Sequence, residues 1–151
     1  MKFAGQVKVK AARATVFAAL RDAHFFASCI DGVSELTEIA PDRYTATLET
    51  KVAYMTFKFK VTVEITNLAP PDTIEAKIEG APLGMVGRLT ATTRTQLRQA
   101  DDQTVIAYSI DSTLAGKLGS IGQPVLRAKA KEMEKKFTER LRAAFAAGET
   151  Q

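Results

Sequence analysis

The chain carries few side chains able to do chemistry. Its one histidine, His24, and its one cysteine, Cys29, stand five positions apart. A structural zinc site needs about four ligands of this kind, so no metal site is expected. Thiolate catalysis needs an activating base, and the only histidine shares the short segment of the only cysteine. Cys29 therefore reads as a half-buried thiol packed like a small hydrophobe, and His24, just before Phe25-Phe26, as a helix-end or surface residue. Asp111, Glu35, Glu38, Glu64, Glu75 and Glu79 fall in outward strand registers or on loops, so no pair of carboxylates converges for acid–base work. Gly80, Gly84 and Gly87 lack the Lys-Ser or Lys-Thr that completes a phosphate-binding loop and are expected in a bent connection between curved strands, with Gly80 to Gly84 as a loop. No catalytic residue is assigned. Two inward hydroxyls remain, on Tyr44 and Tyr108, suited to orienting a carbonyl of a bound molecule.

The elements that would position them follow from periodicity. Phe3, Gly5, Val7 and Val9 alternate with Lys2, Ala4, Gln6 and Lys8, a first strand. Val16, Phe17, Leu20, Phe25 and Phe26 break that period and predict two short helices divided near Asp22, followed by a turn at Cys29-Ile30-Asp31-Gly32. Strands resume with Tyr44, Ala46, Leu48 and Val52 on one face, then Met55, Phe57, Phe59, Val61, Val63 and Ile65. They continue with Ile74, Ala76 and Ile78, with Leu89, Ala91, Thr93, Thr95 and Leu97, and with Ile106, Tyr108, Ile110 and Leu114. Gly116 to Gly122 loosens the backbone, and Pro124 restarts it. Val125 to Ala147 then reads as one helix of about 23 residues, roughly 34 Å long. Leu126, Ala130, Met133, Phe137, Leu141 and Phe145 form its apolar stripe, opposite Arg127, Lys131, Lys135 and Arg142.

Antiparallel strands with one polar face need a cover on the other, and the last helix supplies it. The order predicts an α+β helix-grip fold: a curved antiparallel sheet of six to seven strands around a long C-terminal helix, with two short helices after the first strand. A single domain over residues 1–147 and a short tail at 148–151 are expected.

The 151 residues suffice for a real core, and the net charge of +4 arises from 21 basic and 17 acidic residues. That weak excess is a solvated surface with no strong message. Basic residues interleave with acidic ones and no outward aromatic row offers stacking, so nucleic-acid binding is not expected. No apolar run approaches the ~20 residues that span a bilayer. Met1 to Gln6 lacks a signal-peptide core, and a lone cysteine fits a reducing compartment, so a cytoplasmic location is expected. A basic face opposite Leu, Met and Phe also matches a helix lying in a membrane interface, but the sheet needs its cover.

Ala46, Ala76, Ala91, Thr93 and Ser112 are small and inward-facing, and Ala130 faces them. Either Phe57, Phe59, Tyr108, Met133 and Phe137 fill that space, or a ligand-sized, mostly apolar cavity remains. The cavity is the reading adopted, lined by Phe26, Ile30, Tyr44, Met55, Phe57, Leu89, Tyr108, Leu118, Ile121 and Met133. Gly116, Gly119 and Gly122 are read as a hinge that lets the helix shift and the ligand exchange.

Several segments carry a resemblance. Phe17-Ala18-Ala19-Leu20-Arg21-Asp22 followed by Cys29-Ile30-Asp31-Gly32 resembles the "VWxxLxDP…CIPG" stretch of the CoxG family of carbon monoxide dehydrogenase subunits. Leu68-Ala69-Pro70-Pro71 followed by Ile78-Glu79-Gly80 is similar to its central "L-x-P-P…G-x-G" segment. Gly116-Lys117-Leu118-Gly119-Ser120-Ile121-Gly122 is similar to its "GKLAQLG" stretch before the last helix. Asp31 stands where that family has proline, and Phe17 where tryptophan is usual.

The resemblance implies the START/Bet v 1-like (SRPBCC) form of the helix-grip fold, with a hydrophobic cavity and no catalytic apparatus. It also implies association with a carbon monoxide dehydrogenase or related molybdenum hydroxylase, in assembly, membrane recruitment or quinone binding. Longer family members carry a C-terminal tail proposed to reach the membrane. The sequence ends at Gln151 without one, so membrane contact is expected to be peripheral, at the inner face of the cytoplasmic membrane, and not required. The expected protein is a non-catalytic binding module with no covalently bound cofactor, holding a quinone or other apolar molecule. Two alternatives share the fold: a cyclase- or hydratase-type enzyme, which needs a titratable group inside the cavity, and a co-chaperone-like interaction protein, which needs an exposed apolar patch.

Overall fold

The computed structural model describes residues 1–149. The chain runs β1 (Lys2–Val9), α1 (Arg13–Arg21), α2 (Ala23–Ser28), β2 (Val33–Ala40), β3 (Arg43–Val52), β4 (Met55–Ala69), β5 (Thr73–Pro82), β6 (Gly87–Ala100) and β7 (Gln103–Gly116). A 3-10 turn at Lys117–Ile121 then leads into α3 (Gln123–Glu149). The strands form one antiparallel sheet in the order β1-β7-β6-β5-β4-β3-β2. This is the expected α+β helix grip, with seven strands. α3 starts two residues earlier than its apolar stripe suggested and runs through Glu149, so the tail expected from residue 148 begins inside the helix, and residues 150–151 lie outside the described residues.

The short helices divide where Asp22 caps the second one: its carboxylate accepts from the backbone N–H groups of His24, at 2.9 Å, and Phe25. Such a side chain satisfies donors that a helix start leaves unpaired. Val16, Phe17 and Leu20 form the buried face of α1.

Two expectations about strands change. The loop expected over Gly80 to Gly84 is shorter, because β5 continues to Pro82, with Gly80 paired to both Val61 and Leu89 and Pro82 to Phe59. The segment after Gly32, which shows no clear alternation, is the edge strand β2. A bulge between Ser34 and Thr37 puts Glu35 at φ 55, and its carboxylate accepts from the Thr47 hydroxyl at 2.9 Å.

The apolar interior consists of two separate clusters. One joins Val7, Val9, Val16, Phe17, Leu20, Cys29, Leu97, Ile106, Leu141 and Phe145, and so ties both short helices and the second half of α3 to one end of the sheet. The other joins Val52, Phe57, Phe59 and Leu118 at the opposite end. α3 approaches the sheet most closely at β1 and β3, an edge strand and the neighbour of the other edge strand. The helix therefore reaches toward both flanks of the curved sheet.

Candidate functional site

Between the two clusters the inner face of the sheet is only half-buried. Across adjacent strands it presents Tyr44, Val63, Ile78, Ala91 and Ser112, and beside them Ile65, Ala76, Thr93, Ile110 and Phe3. All of these except Ala91 keep part of their surface open to solvent, as do Leu126, Ala130, Met133 and Phe137 on the facing side of α3. A tightly packed cover would exclude water from such positions. The helix therefore does not seal this stretch of the sheet, where Ala76, Ala91 and Ala130 are too small to reach across, and the space between the two is called the cleft.

One side of the cleft opens between α3 and β3 as a groove of about 150 Å³, framed by Ile30, Asp31, Thr50, Lys129, Met133 and Lys136. Asp31 pairs with Arg140 and, at 3.5 Å, with Lys136, so the turn before β2 is tied to the helix beside this opening. The Arg140 guanidinium, assisted by Lys136, holds the Asp31 carboxyl below its ordinary range. A broader hollow of about 490 Å³ over Gly32 to Ser34 and Glu49 to Lys51 is open to solvent and lies outside the cleft.

The polar centre of the cleft pairs Tyr108 with a residue that the sequence pattern does not single out. The Tyr108 hydroxyl donates to Glu134 Oε2 at 2.5 Å. Glu134 lies four residues after Ala130 and three before Phe137, in line with the apolar stripe of α3. Gly5 makes the contact feasible: it is the cross-strand partner of Tyr108, and a Cβ at Gly5 would sit 2.5 Å from the phenol oxygen. The ring lies across this glycine, with Thr95 opposite Tyr108 on its other side. Burial, then the hydrogen bond and charge of Glu134, push the Tyr108 phenol up to about 12. Burial likewise raises the Tyr44 phenol, with Glu38 and Asp42 adding to the effect.

The Tyr108 shift implies a pH dependence. The folded state holds the phenol proton more tightly than an unfolded chain, whose tyrosine ionises near 10. The resulting stability is fully present below pH ~10 and is lost as pH rises toward ~12. Urea midpoints measured across this range are expected to fall more steeply for the native chain than for Tyr108→Phe. Parallel curves would mean that the phenol is not held by Glu134.

The other expected lining residues are dispersed. Ile30 and Met133 border the groove. Tyr44 is half-buried opposite Val63, and Leu89 lies between Gly80 and Leu114. Phe57 and Leu118 lie within the second cluster and Ile121 packs against it, because the end of the sheet closes over them. Phe26 is 40% exposed with its ring 5.2 Å from that of Phe137. Met55 is 55% exposed at a strand end and stands with Tyr54, Leu83 and Val86 as exposed apolar residues at the second cluster's end of the molecule.

In the glycine turn, Leu118 is only 2% exposed and the Lys117 N–H donates to the Val86 carbonyl at 3.1 Å. A Cβ at Gly116 would stand 2.7 Å from the Gly87 Cα, and one at Gly119 3.0 Å from the Leu114 carbonyl oxygen, whereas Gly122 has open space around it. Cys29 is buried in the first cluster, and burial raises its thiol pKa. His24 is exposed. Among the described residues, no three His, Cys, Asp or Glu side chains come together as metal ligands. Among the same residues, no helix is long and apolar enough to cross a membrane.

The comparisons with known proteins fit this geometry. A conserved protein from Geobacillus kaustophilus superposes with a TM-score of 0.88 at 25% identity, over 97% of this chain and 96% of that one. A START superfamily protein from Mycobacterium smegmatis gives 0.70 at 13% identity, over 97% of both chains. The di-domain ARO/CYC protein StfQ of the steffimycin biosynthetic pathway gives 0.65 at 17% identity, over 99% of this chain and 51% of that one. These likenesses place the fold among START-like helix-grip proteins. No curated protein matches the sequence. The family model for CoxG, a carbon monoxide dehydrogenase subunit, matches residues 5–146, nearly the whole chain, and the protein belongs to that family.

Proposed function

We propose that this protein is a non-catalytic carrier that holds an apolar small molecule, a quinone or lipid-like compound, between α3 and the concave face of the sheet. The observation that carries this reading is the half-open middle between two separate cores. Apolar side chains left partly wet there gain by burial against a ligand, at about 25 cal/mol per Å². Pockets of this kind combine apolar walls with a few polar anchors, and Tyr108, Glu134 and Tyr44 supply the anchors. Family membership supports service to a carbon monoxide dehydrogenase or related molybdenum hydroxylase, in the cytoplasm or peripherally at the inner face of its membrane. The exposed residues Tyr54, Met55, Leu83 and Val86 are the surface best suited to meet that enzyme. The turn from Gly116 to Gly122 acts as the hinge for exchange.

Solvent extraction and mass spectrometry of the purified protein, with titration by a quinone analogue, test the carrier reading. A co-purifying apolar molecule or saturable binding is expected. An interior that yields no ligand and binds none would overturn it.

A second reading, an enzyme of the cyclase or hydratase kind, has one observation in its favour: a carboxylate–phenol pair sits in the cleft. An enzyme would convert a bound ligand on incubation to a product of different mass or, for a cyclisation, of the same mass and different chromatographic retention, and lose that ability in Glu134→Gln. A carrier returns its ligand unaltered.

A further inference from the structure

We infer that Glu134 makes the cleft selective for neutral apolar molecules bearing a hydrogen-bond donor, and against apolar carboxylates. This rests on the carrier reading above and narrows its head group: a quinol, alcohol or amide gains at the pair, whereas a quinone, which only accepts hydrogen bonds, is held by its apolar surface without help from Glu134.

Glu134 is the acidic side chain of α3 that meets Tyr108, between Ala130 and Met133 on one side and Phe137 on the other, while Glu132 borders the groove. As a carboxylate it only accepts hydrogen bonds, and it has about four acceptor positions. The Tyr108 hydroxyl occupies one of them. That contact also commits the phenol proton, so Tyr108 has no second proton to give a ligand. The pair therefore offers an entering molecule acceptors and no donor. Gly5, opposite the Tyr108 ring, leaves the phenol a slot in which to hold this arrangement before any ligand arrives.

A ligand hydroxyl or amide N–H gains a charge-assisted hydrogen bond there. A ligand carboxylate meets a like charge in a half-dry site and has no donor from the pair. Cations stand at the edges of the cleft: Lys129 pairs with Glu132 at 3.7 Å, Lys136 pairs with Glu132 and Asp31, Lys51 also borders the groove, and Arg127 lies over the Phe3 ring at 5.6 Å. Arg142 acts on Tyr108 only through its charge.

Displacement of Nile red by 1-decanol and by decanoate at neutral pH tests this on the full chain, because the two competitors share a chain length and differ in head group. The native protein is expected to bind the alcohol roughly tenfold more tightly or better, the factor that one charged hydrogen bond supplies. Glu134→Gln keeps an acceptor for Tyr108 while removing the charge. It is expected to bring the two affinities within about threefold, mainly by tightening decanoate, with an unchanged unfolding midpoint as the control. Equal displacement by both competitors in the native protein leaves the carrier reading standing and overturns the selectivity. A preference for the alcohol that survives in Glu134→Gln also overturns it. If Nile red does not bind, or neither competitor displaces it, the carrier reading fails and the selectivity with it.

Discussion

Gly32→Ala is expected to destabilise the protein by roughly 3 kcal/mol or more and to lower its melting temperature by about 6–12 °C for a domain of this size. Gly32 has a φ of +86°, and a Cβ built there would stand 2.0 Å from the Glu49 carbonyl oxygen. That oxygen is main chain and cannot rotate aside. The two residues also share a hydrogen bond, from the Glu49 N–H to the Gly32 carbonyl at 2.9 Å, so relieving the clash means opening the start of the β2–β3 pair. Gly122→Ala serves as the control. Its φ is +106° but nothing lies within 4 Å, so only backbone strain of about 1–3 kcal/mol should appear, with no clash added to it. Thermal unfolding of both variants checks the argument. Similar small shifts in the two would mean that the turn at Gly32 yields, and that it does not fix the edge of the cleft.

The Cys29-Ile30-Asp31-Gly32 motif thus has a physical content that its letters show only in part. The glycine is required by a close backbone approach, and the cysteine by the first cluster. Asp31 replaces the family's proline and gives up a rigid turn residue. In exchange it ties the turn to α3 through Arg140 and Lys136. These pairs are exposed and individually weak, so they locate the helix beside the groove more than they stabilise the fold.

How much of the molecule is legible in the sequence depends on whether a residue's role repeats. The long strands and the stripe of α3 declare themselves because alternation and three-four spacing recur many times. β2 does not, because its bulge shifts the register and most of its side chains face water. The end of β5 hides for another reason: Gly80, Ala81 and Pro82 look like a loop, although Gly80 pairs on both sides. The site is less legible still. Glu134 is a single polar residue, one of several glutamates on a charged helix, and only its four-three-four spacing with Ala130, Phe137 and Leu141 sets it apart. Combined with an inward Tyr108 opposite a glycine, that spacing is the signal that could have found the pair. Conversely, Phe57 and Leu118 have the pattern of cavity residues but sit in a closed core. Periodicity gives the face of a strand, and not how far along it the cover reaches.

That distinction between closed ends and an open middle can be measured by truncating α3 along its length. Leu141→Ala is expected to cost about 2–5 kcal/mol, because Leu141 is completely buried where α3 meets β1 and α1 in the first cluster. Val7, Val16 and Phe17 share that cluster and are themselves buried, so a vacated space there is bounded by packed side chains. Met133→Ala removes a comparable side chain two turns earlier on the same stripe, but Met133 borders the groove and is already partly wet. Its loss should cost only about 1 kcal/mol or less in the ligand-free protein, because little apolar surface leaves a dry contact. The same substitution should weaken binding of an apolar ligand, since the bound molecule is what completes its burial. Urea titrations of the two variants, with and without such a ligand, separate the alternatives. A large loss at Leu141 and a small, ligand-dependent one at Met133 is the signature of a helix anchored at its end over an empty middle. Equal losses at both positions, unaffected by ligand, would mean that the sheet and helix close on each other throughout and leave nothing to carry.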